Sequence, residues 1–246
     1  MTRTKHLHHW NLSYAEAREL QTRLAAKVEH APLPGRPRLI AGFDCAFLDK
    51  GKRIIAVAVV LERKPATEKP PETGKNRQFE LIETAHVVQK TRFPYIPGLL
   101  SFREAPACIA AAEKLESRPE LFLVDGQGIA HPRRLGLAAH LGLFLDRPTV
   151  GCAKSRLTGT FDEPAAEKGS YTPLRDKPAC GESREPETIG AVVRTRTSVK
   201  PLFVSVGHKC TLDDAVEMTL ACATRYRLPE PTRLAHQLVS RLKKEL

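Results

Sequence analysis

The chain has 246 residues, with 39 Lys+Arg against 28 Asp+Glu and a formal net charge of +11. Its 41% hydrophobic content excludes a disordered chain, and a chain of this length buries a core without a disulfide or metal staple. No apolar run approaches the ~18–20 residues of a bilayer span, the first ten residues lack the apolar stretch of a signal peptide, and the six cysteines form no CxxC pair, which predicts free thiols in a reducing, cytoplasmic setting.

Ser13-Tyr-Ala-Glu16 has capping-box spacing, and Ala17, Leu20, Leu24 and Val28 follow on one helical face until Pro32, Pro34 and Pro37 end the helix. His6, His8 and His9 before it read as a mobile tail. Residues 38–48 and 53–61 read as strands joined by an Asp49-Lys-Gly-Lys52 hairpin turn. Residues 62–76, rich in Lys, Pro, Glu and Thr, read as a solvated loop, and 79–89 as a third strand. After Phe93-Pro-Tyr-Ile-Pro-Gly98 the period changes. Pro106 fits the first turn of a helix, with Ile109, Ala112 and Leu115 inward. Residues 121–124 form a fully apolar strand ending in Asp125, Gly126-Gln-Gly128 turns the chain, 132–145 reads as a helix and 148–152 as a strand. Residues 165–187 read as loop, and 189–194 and 202–206 as strands. Thr211, with Asp214 at the third helical position, caps a helix to about Tyr226, and Thr232 opens a last one. Hairpin strands followed by alternating β and α predict an α/β fold, a mixed sheet with helices on both faces, as one domain over 1–246.

Three carboxylates carry the chemical interest. Asp44 is the only charge in residues 39–47, and a buried carboxylate needs a partner, either a basic side chain or a hard metal ion. Asp125 ends an apolar strand before a glycine turn, where open α/β sheets gather ligands, although an Asp there also suits the turn itself. Glu104 stands just before the helix expected at Pro106, where its plain role is to meet the helix dipole. If the three converge, they supply oxygen ligands for Mg²⁺ and leave positions for water and phosphate. His131-Pro-Arg133-Arg134 is expected to open a helix and to favour phosphate there. Lys154 and Arg156 follow the next strand end, and His208 ends another strand. Positive charge at successive strand ends suits a groove that tracks a phosphodiester backbone, although each pair also reads as solvated surface.

Together these segments resemble the endonuclease V family of inosine-directed nucleases. The resemblance rests on Ala41-Gly-Phe-Asp44, residues 95–104 (YIPGLLSFRE), residues 124–136 (VDGQGIAHPRRLG), residues 151–157 (GCAKSRL), residues 190–196 (GAVVRTR) and residues 204–209 (VSVGHK), and it spans nearly the whole chain. It implies a ribonuclease H-like fold and Mg²⁺-dependent cleavage, with Mn²⁺ able to substitute, at the second phosphodiester 3′ to inosine in DNA. Inosine-containing RNA is a second substrate, and the chain would act as a monomer away from membranes. By the same resemblance Asp44, Glu104 and Asp125 are the metal carboxylates, His208 stands near the attacking water or a second metal, Lys154 lies near the scissile phosphate and His131 beside the product-end phosphate. Tyr95 is the wedge that fills the gap left by a flipped base, and Gly98, Leu100, Gly126 and Gly128 wall the hypoxanthine pocket. Arg133, Arg134 and Arg156 are expected to bind the backbone. The chain departs from the family pattern at Cys45, usually aliphatic, and at Gln127, commonly histidine. Two alternatives compete: a junction resolvase of the same fold, disfavoured by the Tyr95-Ile-Pro-Gly segment, and a catalytically silent nucleic-acid binder, disfavoured by the complete acidic set.

Overall fold

The apolar strand residues meet in one eight-stranded sheet of order β3-β2-β1-β4-β5-β8-β7-β6. The computed structural model describes residues 2–64, 78–176 and 185–246, so most of the 62–76 and 177–187 segments lies outside the described residues. The strands are β1 (Leu39–Leu48), β2 (Arg53–Arg63), β3 (Phe79–Lys90), β4 (Leu121–Val124), β5 (Thr149–Ala153), β6 (Tyr171–Arg175), β7 (Thr188–Val193) and β8 (Leu202–His208). β1, β4 and β5 are parallel and the other pairings antiparallel. The β1–β2 turn uses left-handed Asp49 and Lys50 and Gly51 at φ 91°.

Helices cover both faces. α2 (Leu100–Glu113) and α3 (Leu137–Leu145) pack on β1, β2 and β4, where the Phe43 and Phe122 rings stack at 5.5 Å. α1 (Tyr14–Ala25) completes that layer through Leu20 and Leu24 against Phe102 and Leu143, and its Ser13/Glu16 capping box forms as its spacing predicts. On the opposite face α4 (Leu212–Cys222) covers β5, β7 and β8, and α5 (Glu230–Glu245) covers β1 and β2 through Ala235 and Val239.

Four readings of the sequence are corrected. α2 starts at Leu100, so Pro106 lies inside it and Glu104 sits within the helix. Burial of Ser101, Phe102, Ala105, Cys108, Ile109 and Ala112 along one face outweighs the hydrogen bond that Pro106 forgoes. α3 starts only at Leu137, so the His131–Arg134 segment does not open a helix. Gly136 N–H bonds to Gly128 O and Ala138 N–H to Gln127 O, which ties this stretch into a turn over the glycine loop. β6 occupies part of the expected 165–187 loop, and Pro173 fits there because β6 is an edge strand. The segment that carries the N-terminal histidines is not a free tail, although His6 and His9 stay exposed. Lys5 N–H bonds to Phe144 O at 2.6 Å, and His8 packs among Trp10, His140 and Phe144 with its Nε2 2.9 Å from His140 Nε2. The apolar Leu7 and Trp10 anchor that strap.

One close approach sets the position of α5. A Cβ on Gly42 of β1 would stand 2.2 Å from the Pro231 carbonyl carbon, so α5 can lie flat on the sheet only over glycine. Gly42→Ala is expected to cost ~1–3 kcal/mol as an overpacking substitution and to lift the α5 side chains off β1. A thermal melt checks it, and an unchanged midpoint would contradict this packing.

Candidate active site

β1 and β4 run parallel with Phe43 opposite Val124, and β4 then stops while β1 continues. Asp44 and Asp125 therefore leave neighbouring strands at the same level, where the sheet opens. α2 crosses above this end, and Glu104 points into the same small cavity of about 180 Å³, lined also by Phe43, Cys45, Leu100, Cys108 and Leu137. The sheet thus brings all three predicted carboxylates together.

A fourth group completes the site. His236 on α5 places Nδ1 2.7 Å from Asp44 Oδ2, and Asp44 Oδ1 accepts the Cys45 N–H at 2.8 Å. Ligand atoms of Asp44, Asp125 and His236 lie within 4.8 Å of one another. The Lys154 ammonium, just beyond the end of β5, forms an ion pair with Asp125 Oδ2. His236 was missed in the sequence because α5 reads as a polar surface helix. The available signal was its spacing from Thr232, which is buried one turn earlier.

The electrostatics are those of crowded like charges. Burial, and then the charges of Asp44 and Asp125, push the Glu104 carboxyl up to about 8. Asp44 is raised for the same two reasons, burial and Asp125, with the His236 and Cys45 hydrogen bonds working against the shift. A hard divalent cation is the counter-charge this donor set suits: oxygen-rich, one imidazole, and acidic groups that remain partly protonated without it.

A second cavity of about 170 Å³ adjoins the first. Tyr95, Ile96, Pro97, Gly98, Gln127, His131 and Leu157 contribute to it, and Leu100, Asp125 and Leu137 line both cavities. Tyr95 is 68% exposed at its edge. Gly98 turns at φ 78°, a conformation that favours glycine, and its carbonyl accepts from Gln21 Nε2 at 3.0 Å and Arg133 at 2.9 Å. The buried His131 ring lies between the Arg133 N–H, which donates to Nδ1, and the Gly98 carbonyl, which accepts from Nε2 at 3.0 Å. Burial, reinforced by the Arg133 charge, lowers His131 to about 4, so it is neutral. Gln127 Nε2 donates to Ser155 O at 2.8 Å, while its buried Oε1 has no hydrogen-bond partner.

Two predicted residues lie elsewhere. His208 is corrected as a site residue. β8 runs antiparallel to β5, so His208 pairs with Thr149 at the start of β5, roughly 15 Å of strand from Lys154 at ~3.3 Å per residue. There the buried ring accepts the Glu29 N–H at 3.1 Å, and burial lowers its pKa. Gly128 is corrected as a pocket wall: it faces β8, where a Cβ would meet the Val206 carbonyl oxygen at 2.0 Å. Gly126 and Gly98 do line the pocket. Arg134 pairs with Asp176 and Glu187, Arg133 donates to Gln21 Oε1, and Arg156 lies over the Phe161 ring at 5.6 Å.

The sheet order is that of a ribonuclease H-like fold, and Asp44 on β1, Asp125 just past β4 and Glu104 on α2, with a lysine and a histidine beside them, suit a nuclease that uses a divalent metal. The model for the family described as Endonuclease V matches residues 22–237, and the chain belongs to that family and is an endonuclease. It is 46% identical over 240 residues to endonuclease V of Alkalilimnicola ehrlichii, covering 95% of this chain and 94% of the relative. The crystal structure of endonuclease V from Streptomyces avermitilis superposes with a TM-score of 0.82 at 38% identity, covering 96% of this chain and 95% of that one. A variant of Ciona intestinalis endonuclease V, solved in complex with a 23-mer DNA containing an inosine followed by a ribo-adenosine, superposes with a TM-score of 0.70 at 25% identity, covering 94% of this chain and 97% of that one.

The Glu104 shift makes a prediction whose sign is fixed. Its folded pKa, about 8, exceeds the usual 4.5, so its contribution to stability is full below the unfolded pKa and is lost as pH rises through 8. Glu104→Gln keeps the neutral form at every pH. Without divalent ions it should melt above the wild type at pH 8.5 and close to it at pH 4, and adding Mg²⁺ should raise its midpoint less. Thermal melts across pH check this, and a Glu104→Gln midpoint below the wild type at pH 8.5 would contradict it.

Proposed function

We propose that the chain is a Mg²⁺-dependent endonuclease that flips inosine from DNA into the 170 Å³ pocket and nicks the backbone at the second phosphodiester on its 3′ side, initiating repair of deaminated adenine. The observation that carries this reading is the shared wall: Leu100, Asp125 and Leu137 line both the carboxylate cavity and the base-sized pocket, so one nucleotide can be held while a nearby phosphate meets the acids. The inosine-containing DNA bound by the Ciona relative supports the choice of base.

Asp44, Glu104 and Asp125 would hold the ion, and Mn²⁺ would substitute; when bound, the ion neutralises charge on the reacting phosphate and lowers the pKa of a water. The chain's own residues do the rest. His236 donates Nδ1–H to Asp44, which fixes that carboxylate and leaves Nε2 as an acceptor for a proton from the attacking water. Lys154 is held at Asp125 and can donate another N–H to a non-bridging phosphate oxygen. Tyr95, exposed beside the pocket, replaces the stacking lost when the base leaves the helix. Hypoxanthine lacks the exocyclic amine of guanine, and a close wall from the backbone of Gly98 and Gly126, which both line the pocket, would exclude that amine. Arg133, Arg134, Arg156 and the net charge draw the strand in, with the pairing of Arg134 to Asp176 and Glu187 giving it the smallest part.

The same pocket and backbone chemistry accept inosine-containing RNA as a second substrate. The whole chain acts as one catalytic domain and as a monomer, since one lesion needs one site. A cytoplasmic location agrees with its free thiols at Cys45, Cys108, Cys152, Cys210 and Cys222. Among the described residues no helix is long and apolar enough to cross a membrane.

A duplex with one inosine should be nicked with Mg²⁺ and left intact with EDTA, and nicking that survives EDTA would overturn the reading. Asp44→Ala and Asp125→Ala should abolish nicking while retaining the fold by circular dichroism, whereas His208→Ala should keep near-wild-type rates per folded molecule. Tyr95→Ala should weaken binding to inosine DNA more than binding to undamaged DNA in a fluorescence titration, and equal losses would reduce Tyr95 to a surface aromatic.

A further inference from the structure

Two thiols share the wall of the carboxylate cavity. Cys45, directly after Asp44 on β1, and Cys108, one helical turn after Glu104 on α2, bring their sulfurs to 3.3 Å. Both line the 180 Å³ cavity with Asp44, Glu104 and Asp125. The other free thiols of the described residues, Cys152, Cys210 and Cys222, are buried in the core on the α4 side of the sheet.

We propose that Cys45 and Cys108 form a binding site for a thiophilic divalent cation of the Zn²⁺ or Cd²⁺ class, and that filling it disables the carboxylates beside it. Two thiolates on one tetrahedral Zn²⁺, each at ~2.3 Å, lie roughly 3.8 Å apart, so the pair needs to open by only about half an ångström. Soft sulfur ligands select such ions over Mg²⁺. The acidic cavity attracts the cation and offers carboxylate oxygen and water as further ligands. Binding is balanced: two S–H bonds break, two metal–sulfur bonds form and two protons leave to solvent. The consequence for the acids follows from the backbone. The Cys45 N–H holds Asp44 Oδ1 at 2.8 Å, and Cys108 rides on the same helix as Glu104. Drawing both sulfurs onto one ion moves the supports of two of the three carboxylates. The endonuclease V resemblance more usually places an aliphatic residue at Cys45, so this thiol is a departure from the family pattern.

The binding claim stands apart from the proposed inosine chemistry, and its test needs neither substrate nor Mg²⁺. The full chain, kept reduced with a phosphine, is titrated with cadmium chloride while the ultraviolet thiolate-to-cadmium charge-transfer band is followed. The band should saturate at one ion per chain and persist in excess Mg²⁺. It should also persist in Asp125→Asn and in Cys180→Ser, the latter removing the thiol outside the described residues. Cys108→Ala and, independently, Cys45→Ala should each lose it, so a folding failure in one variant leaves the other decisive. In a nicking assay with saturating Mg²⁺, Cd²⁺ should inhibit the wild-type chain and leave Cys108→Ala resistant. A band retained in both cysteine variants, or no band in the wild-type chain, would overturn the proposal. Loss of binding overturns the thiol site alone, whereas absence of nicking without Cd²⁺ overturns the inosine reading alone.

Discussion

Three carboxylates held in one water-poor corner repel one another, and the rest of the site is arranged around that repulsion. Asp44 and Asp125 are fixed by the β1–β4 register, because the chain cannot separate them without breaking parallel strand pairing. Glu104 is fixed by the packing of α2 on the sheet. The groups that answer them come from outside this corner: the Lys154 ammonium from the end of β5 and the His236 hydrogen bond from α5, laid on β1 over Gly42. The unbalanced remainder appears as the raised Glu104 and Asp44 pKa values. Such a site is unfavourable alone and favourable with a cation, which is how binding energy for a metal becomes available at a defined place.

This arrangement also gives the net charge of +11 two distinct roles. The surface is positive and draws a polyanion from a distance. The cavity shared by Asp44, Glu104 and Asp125 is locally acidic and would repel a phosphate until a cation arrives. Recruitment and cleavage are therefore separable, the first sensitive to salt and the second to divalent ions.

Much of this was legible in the sequence, for physical reasons that differ by residue. Asp44 and Asp125 stood out because each interrupts or ends an apolar strand, and a charge there has to be explained. The helix capped at Ser13 and the β1–β2 hairpin followed from local chemistry, and local chemistry held. What failed depends on distant contacts. His208 ends a strand, as a ligand residue would, but strand direction decides which end of the neighbouring strands it reaches, and the antiparallel run of β8 sets it beside the start of β5, away from the carboxylates. His236 sits in a polar helix whose docking is set by Gly42, a residue far away in sequence. The late start of α3 follows from bonds to the glycine loop at Gln127 and Gly128, and the early start of α2 from the face it buries. The contact between Cys45 and Cys108 joins a strand to a helix, and neither segment alone foretells it.

The central claim is that crowding among Asp44, Glu104 and Asp125 is relieved by a bound cation. It is tested most directly by following the Glu104 carboxyl carbon by ¹³C NMR through a pH titration, with and without saturating Mg²⁺. Without the ion Glu104 should titrate near 8, and with it the transition should move below the usual carboxylate range. A Glu104 that titrates at its ordinary value of 4.5 in the metal-free chain, or that does not respond to Mg²⁺, would contradict the account.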